Sequence, residues 1–137
     1  MPDKRRHIAE LLLEYESEAG KLGNETAAFR VSEKLRHPLT ALLGELGFRA
    51  LLGRALLLAQ ADAPELSSVA VATDGSLKGL SKGRRHRANG DVTLIAKLLA
   101  LLDTFVGEAV MLRVVQGAWP QATLDELKKR KTRGEGK

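Results

Sequence analysis

Residues 91–119, with the sequence DVTLIAKLLALLDTFVGEAVMLRVVQGAW, form the stretch that decides the fold. Asp91 follows a turn-forming glycine and is a favourable helix N-cap. Trp119-Pro120 predicts the other end, because the residue before a proline is biased away from helix. At 100° per residue, apolar side chains occupy most of the circumference and polar ones a single narrow stripe. We therefore predict a long central helix, 91–119, that other helices cover on several sides.

The side of this helix opposite the polar stripe carries the predicted interface. It is formed by Ile95, Leu99, Leu102 and Val106. One amphipathic neighbour cannot cover so much apolar circumference. We therefore expect these four residues to contact a second copy of the chain or a helical protein partner.

The charges within the same stretch argue against a membrane span. Lys97, Asp103 and Glu108 would each cost about 2.5 to 3.5 kcal/mol near the centre of a bilayer. Glu10 and Glu14 interrupt any apolar segment of a secretory signal. The absence of cysteine excludes disulfides, thiol catalysis and cysteine-ligated zinc. We expect a cytoplasmic protein that does not enter the membrane.

Leucine and alanine dominate the remaining apolar residues, which favours an all-α class, a small helical bundle around the central helix. A first helix ends near Gly20, and its glutamates are expected on its outer faces: Glu10, Glu14, Glu16 and Glu18. Asn24 is expected to cap a second helix that Pro38 kinks or restarts, with a further bend near Gly47. It would continue to about Ala61.

Residues 69–80 predict one β-hairpin with a two-residue turn at Asp74-Gly75. Two strands alone are marginally stable in water, so this hairpin must pack on the helices. The length of the chain suits one domain. We predict a single helical domain over 1–130 and a basic flexible tail over 131–137.

No constellation of catalytic residues stands out. Residues 79–83 spell G-x-S-x-G, the pattern of a nucleophile elbow, but a hairpin precedes it and a charged loop follows, where that pattern needs a strand before and a helix after. The three histidines fall on separate elements and lack metal-ligand spacing: His7, His37 and His86. We therefore predict a protein that is not an enzyme and has neither a cofactor nor a metal.

Leu35-Arg36-His37-Pro38-Leu39-Thr40 resembles the H-box of sensor histidine kinases, in which the phosphoaccepting histidine lies just before Leu-Arg. Here Glu33 stands at the matching position, His37 lies on the other side of Leu-Arg, and no ATP-binding half follows. The resemblance implies a dimeric four-helix bundle that has lost phosphotransfer.

The net charge of +5 is concentrated in three segments: 1–6, 75–90 and 128–137 hold 14 of the 22 lysines and arginines but 2 of the 17 acids. The basic loop 78–87 contains the residues suited to phosphates: Lys82, Arg84, Arg85 and Arg87. No aromatic side chain lies among them for base stacking. A nucleic-acid-binding accessory protein that uses this loop and the C-terminal tail is thus the alternative to an interaction module.

Overall fold

The computed structural model describes residues 4–19, 26–79 and 87–122, together with Leu127. These residues form four helices: α1 (Lys4–Ala19), α2 (Ala27–Asp62), α3 (Arg87–Val106) and α4 (Glu108–Ala118). Between α2 and α3 the chain forms a 3₁₀ turn and a two-stranded antiparallel hairpin: Pro64–Leu66, then β1 (Ala70–Val71) and β2 (Leu77–Lys78). The predicted all-α bundle with one hairpin is confirmed. The predicted tail, 131–137, lies outside the described residues.

Helix α3 is the centre of the core. It packs against α1, α2, α4 and the 3₁₀ turn. Its inward side chains are completely buried: Leu94, Ile95, Leu98, Leu99 and Leu102. The prediction that a helix in this segment is clasped by the other helices therefore holds for these side chains, although the helix begins earlier than predicted and is interrupted at Gly107.

Helix α3 begins at Arg87, so Asp91 lies inside the helix and is not its N-cap. At Gly90 the first turns of α3 approach the 3₁₀ turn closely. A Cβ atom on Gly90 would lie 3.1 Å from Leu66 Cδ2. This close approach is a tertiary contact, and the local turn signal at Gly90 did not reveal it.

The central helix is also not continuous to Trp119, because it breaks at Gly107. The backbone there has φ 92° and ψ 159°, a conformation that is essentially restricted to glycine. Gly107 closes α3 by donating to Asp103 O and opens α4 by accepting from Met111 N. The apolar spacing continues on both sides of the break, which is why periodicity predicted one helix. The end at Trp119 is as predicted.

Helix α2 has a comparable break at Gly44, with φ 84° and ψ 164°, which divides it into a first segment (27–43) and a second segment (45–62). The helix passes through Pro38, so Pro38 does not restart it, and the bend expected near Gly47 lies three residues earlier. A Cβ on Gly47 would lie 2.9 Å from Leu43 Cβ, so the bend also requires a glycine there. The N-cap is Thr26, whose Oγ1 accepts from Phe29 N at 3.1 Å; Asn24 lies outside the described residues.

The hairpin lies where it was predicted, but its turn contains three residues, not two. Ala70 pairs with Lys78 and Val71 with Leu77. Ala72 N donates to Ser76 O, which leaves 73–75 as the loop. Gly75 takes the left-handed position at φ 89°, as in three-residue hairpin loops. The predicted two-residue turn at Asp74-Gly75 is therefore wrong. The observed strand register differs from the predicted one by one residue.

Candidate interaction surface

The four residues predicted to form an interface lie inside the chain rather than on its surface. Ile95, Leu99 and Leu102 are 0 % exposed, and Val106 is half-buried against the same core. A folded partner cannot reach the first three unless the bundle opens. Helices α1 and α2 supply the neighbours that the apolar circumference of α3 requires.

The exposed apolar side chains lie mainly on α2. Leu46 is 72 % and Leu57 is 67 % exposed, and Phe105 at the end of α3 is 68 % exposed. Leu42 and Leu58 are exposed to a smaller extent. The buried side of the second segment of α2 is formed by Phe48, Leu51, Leu52, Ala55, Leu56 and Ala59.

Five residues form a continuous line along the outer side of the second segment of α2, which we call the α2 stripe: Leu46, Ala50, Gly53, Leu57 and Ala61. At 100° per residue they span roughly 80° of the helix circumference. All are exposed except Gly53, which is half-exposed. Arg54 is the charged residue beside them. The stripe has two large side chains separated by two small residues.

A shallow apolar groove of about 320 Å³ lies between the first segment of α2 and α4. Its walls are formed by Pro38, Ala41, Leu42, Val110, Arg113 and Val114. Because α2 and α4 are in direct contact, the groove is a seam between two helices and not an enclosed ligand cavity.

The most unusual polar group in the described core is the carboxylate of Glu16, which was expected on the outer face of α1. It is 1 % exposed. Oε2 accepts from Trp119 Nε1 at 2.8 Å and from Lys34 Nζ at 2.9 Å, and Oε1 accepts from Arg30 Nε at 3.1 Å. This cluster therefore joins α1, α2 and the end of α4.

Electrostatics keep Glu16 ionised. Burial alone would raise the pKa of Glu16, but hydrogen bonds from Lys34 and Trp119 and the positive charges of Lys34 and Arg30 hold it below its ordinary value of 4.5. Both carboxylate oxygens accept hydrogen bonds from the chain itself. Glu16 is thus arranged to hold helices together and is poorly placed to act as a general base.

A cleft of about 430 Å³ adjoins this cluster and is lined by Glu16, Phe29, Arg30, Glu33 and Lys34. Glu33, which occupies the histidine position of the H-box resemblance, forms an ion pair with Arg36 at 3.0 Å. His37 is exposed on the same helix. The segment that resembles the H-box is therefore helical and forms part of the first segment of α2.

The predicted nucleic-acid residues Lys82, Arg84 and Arg85 lie outside the described residues, and Arg87 is the first residue of α3. In the described ranges, no group of three histidine, aspartate or glutamate side chains could hold a metal ion. None of the described helices combines the length and the apolar character needed to cross a bilayer. Comparison with protein-family models, curated proteins and solved structures finds no match for this chain.

Proposed function

We propose that this protein is a non-enzymatic helical interaction module that self-associates through the α2 stripe. The observation that carries the proposal is the exposure of Leu46 and Leu57, three turns apart on one side of one helix, at 72 % and 67 %. Removing a leucine side chain from water contributes up to about 3 kcal/mol. The proposed interface thus moves from Ile95, Leu99 and Leu102, which the chain itself covers, to the outer side of α2.

The order of residues in the α2 stripe suits a second copy of the chain. In a two-fold dimer the same patch faces itself, so an antiparallel pairing sets Leu46 opposite Leu57 of the other copy. Ala50 then faces Gly53 of the other copy, and these small residues allow the two helices to approach closely. The interface would bury four leucines against an association cost of about 4 to 15 kcal/mol, which predicts a weak dimer.

The test replaces Leu46 and Leu57 together by glutamine and measures the dimer dissociation constant by light scattering after size-exclusion chromatography. We expect the dissociation constant to rise at least about tenfold, which corresponds to a loss of about 1.4 kcal/mol of association free energy. The matched control is Phe105→Gln, an equally exposed apolar residue outside the stripe, which should leave the dissociation constant unchanged. Equal weakening by both variants would contradict an interface on the stripe.

The second candidate function is nucleic-acid binding through Lys82, Arg84, Arg85 and Arg87. It is favoured by the run of basic residues with no acid between Asp74 and Asp91. Affinity for duplex or single-stranded nucleic acid should fall steeply with salt and fall again when the four residues become alanine. No retention on DNA at low salt would eliminate this candidate.

The resemblance to the histidine-kinase H-box is a third possibility, and it also leads to a dimer. A dimer of that kind would pair through the first segment of α2, where the resemblance lies, whereas the α2 stripe belongs to the second segment. The leucine variants above therefore separate the two. As the location we propose the cytoplasm, since a chain without cysteine needs no oxidising compartment.

A further inference from the structure

The tip of the hairpin is bound to both segments of α2, one on each side of the break at Gly44. Arg36 in the first segment donates from Nη1 to Asp74 O. Arg49 in the second segment donates from Nη1 to Thr73 O at 2.6 Å. Two neighbouring carbonyls of one tight turn therefore join two segments of a bent helix.

Arg36 also connects the two segments directly. Its Nη2 lies 3.0 Å from Glu33 Oε2 in its own segment. Its Cζ lies over the ring of Phe48 in the second segment, 5.7 Å from the ring centroid. Because Phe48 is a buried core residue, Arg36 couples the hairpin tip to the core across the bend.

The turn is built so that these two carbonyls can accept. Its own hydrogen bonds use the carbonyls of Ala72 and Ser76, which leaves those of Thr73 and Asp74 for the arginines. Ser76 donates from both its N and its Oγ to Asp74 Oδ1, at 3.0 and 2.7 Å. The tip therefore has hydrogen bonds of its own that do not involve α2.

The fit between the tip and the bend is close. Gly75 is buried, and a Cβ atom there would lie 3.1 Å from Arg36 Nη1 and 3.2 Å from Arg49 Cγ. The hinge itself has open space: Gly44 is exposed, and a Cβ atom there would have nothing within 4 Å. The hairpin tip therefore contacts both segments across the bend, in addition to the packing of α2 on the other helices, whereas a side chain at Gly44 would contact nothing.

Helices α3 and α4 both pack on α2, and they are separated by Gly107 in nearly the same conformation as Gly44, φ 92° against 84°. Glycine adopts positive and negative φ with similar ease. A change to helical geometry at Gly44 would straighten α2.

We propose that the hairpin tip is a clasp that holds α2 bent at Gly44, and that the chain has a second state in which the clasp is released and α2 is straight. In the bent state Arg36 and Arg49 hold the carbonyls of Asp74 and Thr73. In the released state both arginines leave the tip, and the backbone at Gly44 becomes helical. This device is independent of the α2 stripe and of self-association.

The test measures the distance across the bend with spin labels. The chain has no cysteine, so His37→Cys and Leu58→Cys give two labels, one on each segment. In a straight helix these positions are about 32 Å apart, at 1.5 Å per residue. Labelled protein is mixed with an excess of unlabelled protein, so that only distances within one chain are recorded. We expect one main population well below 32 Å.

Replacing Arg36 and Arg49 together by glutamine should raise the population near 32 Å several-fold from a minor state of about 10 % or less. Gly44→Ala should do the same, because alanine disfavours the positive φ of the bent state. The controls are Arg54→Gln, an exposed arginine on α2 that does not touch the tip, and Gly53→Ala, a glycine within the helix. Both should keep the short distance.

The proposal is overturned if the variant with both Arg36 and Arg49 replaced has the same helical circular dichroism as the parent and still shows only the short distance. Both arginines are half-buried on the surface of α2, so this variant decides the question even where Gly44→Ala lowers the helix content. Straightening in both arginine variants, including Arg54→Gln, would also contradict a clasp at the tip.

Discussion

Glu16 is the residue whose environment departs furthest from its chemical type, because a carboxylate lies in the core and holds three partners. Hydrogen bonds to a charged group contribute about 1.5 to 3 kcal/mol each. Trp119 Nε1 is buried with Glu16 as its acceptor. The joint between α1, α2 and the end of α4 therefore depends on the negative charge of one side chain.

The charge of Glu16 predicts a pH dependence of stability. The pKa of Glu16 in the folded protein lies below its ordinary value of 4.5, so the folded state favours the ionised form. The stabilisation that ionised Glu16 gives to the fold is complete above its ordinary pKa and is lost as the pH falls through its pKa in the folded protein. At pH 7, Glu16→Gln should lower the free energy of unfolding by about 1.5 to 3 kcal/mol.

Urea unfolding of the unmodified protein and of Glu16→Gln between pH 7 and pH 3 measures the difference between their free energies of unfolding. This difference should shrink at the acidic end. Glu14→Ala, an exposed glutamate on the same helix, serves as the control and should change stability by less than about 0.5 kcal/mol. A difference between the parent and Glu16→Gln that stays constant with pH would show that the charge does not contribute.

The position of Glu16 was not predictable from its own helix. Its neighbours Glu10 and Glu14 are exposed as expected, and glutamate is rarely buried without a partner. The partners of Glu16 are Arg30, Lys34 and Trp119, the last of them 103 residues away. Helical periodicity assigns a face to each residue, but it does not show which distant side chains meet there.

At the scale of elements, the two glycine breaks determine the shape of the bundle, and they can be tested by substitution. Gly107→Ala should lower the free energy of unfolding by about 1 to 3 kcal/mol, because alanine is strained in this backbone region. A Cβ atom there would have nothing within 4 Å, so the cost is purely conformational. Thermal or urea unfolding measures it.

Gly53 is the matched control, since a Cβ atom there also has nothing within 4 Å, but the residue lies inside a helix. Gly53→Ala should raise stability by up to about 1 kcal/mol. The changes in the free energy of unfolding caused by Gly107→Ala and Gly53→Ala are therefore expected to have opposite signs. Equal effects would mean that the break at Gly107 imposes no strain on alanine.

Helices were predictable as elements, but the exact positions of their breaks were not: the bend expected near Gly47 lies at Gly44, and the break at Gly107 was not expected. The first helix was predicted to end near Gly20, and α1 ends at Ala19; Trp119-Pro120 predicted the end of α4. Gly44 and Gly107 were indistinguishable in the sequence from helical glycines such as Gly53, because apolar periodicity continues on both sides of each. The conformation of a single glycine is set by the elements that pack around it, which local patterns do not report.

At the scale of the whole molecule, α3 is the buried centre of the bundle. Leu102 is 0 % and Phe105 is 68 % exposed, three residues apart on the same helix. Leu102→Ala should cost about 2 to 5 kcal/mol as a buried truncation. Phe105→Ala should change stability by less than about 0.5 kcal/mol. Unfolding curves for the two variants test the pair, and similar losses would contradict the buried arrangement.

The fold class and the shielded centre followed from composition and from the apolar spacing of 91–119. The candidate interface did not follow, because the same leucine-rich pattern describes both inward and outward positions. Leu46 and Leu57 resemble Leu51 and Leu52 in the sequence, and only the packing of α2 on its neighbours distinguishes the exposed pair from the buried pair.

Sedimentation equilibrium of the unmodified protein over a range of micromolar concentrations tests most directly whether α2 presents a surface for a second copy. The proposed function predicts a reversible, concentration-dependent species with twice the chain mass of 14.9 kDa. A single species of 14.9 kDa at every concentration would contradict self-association.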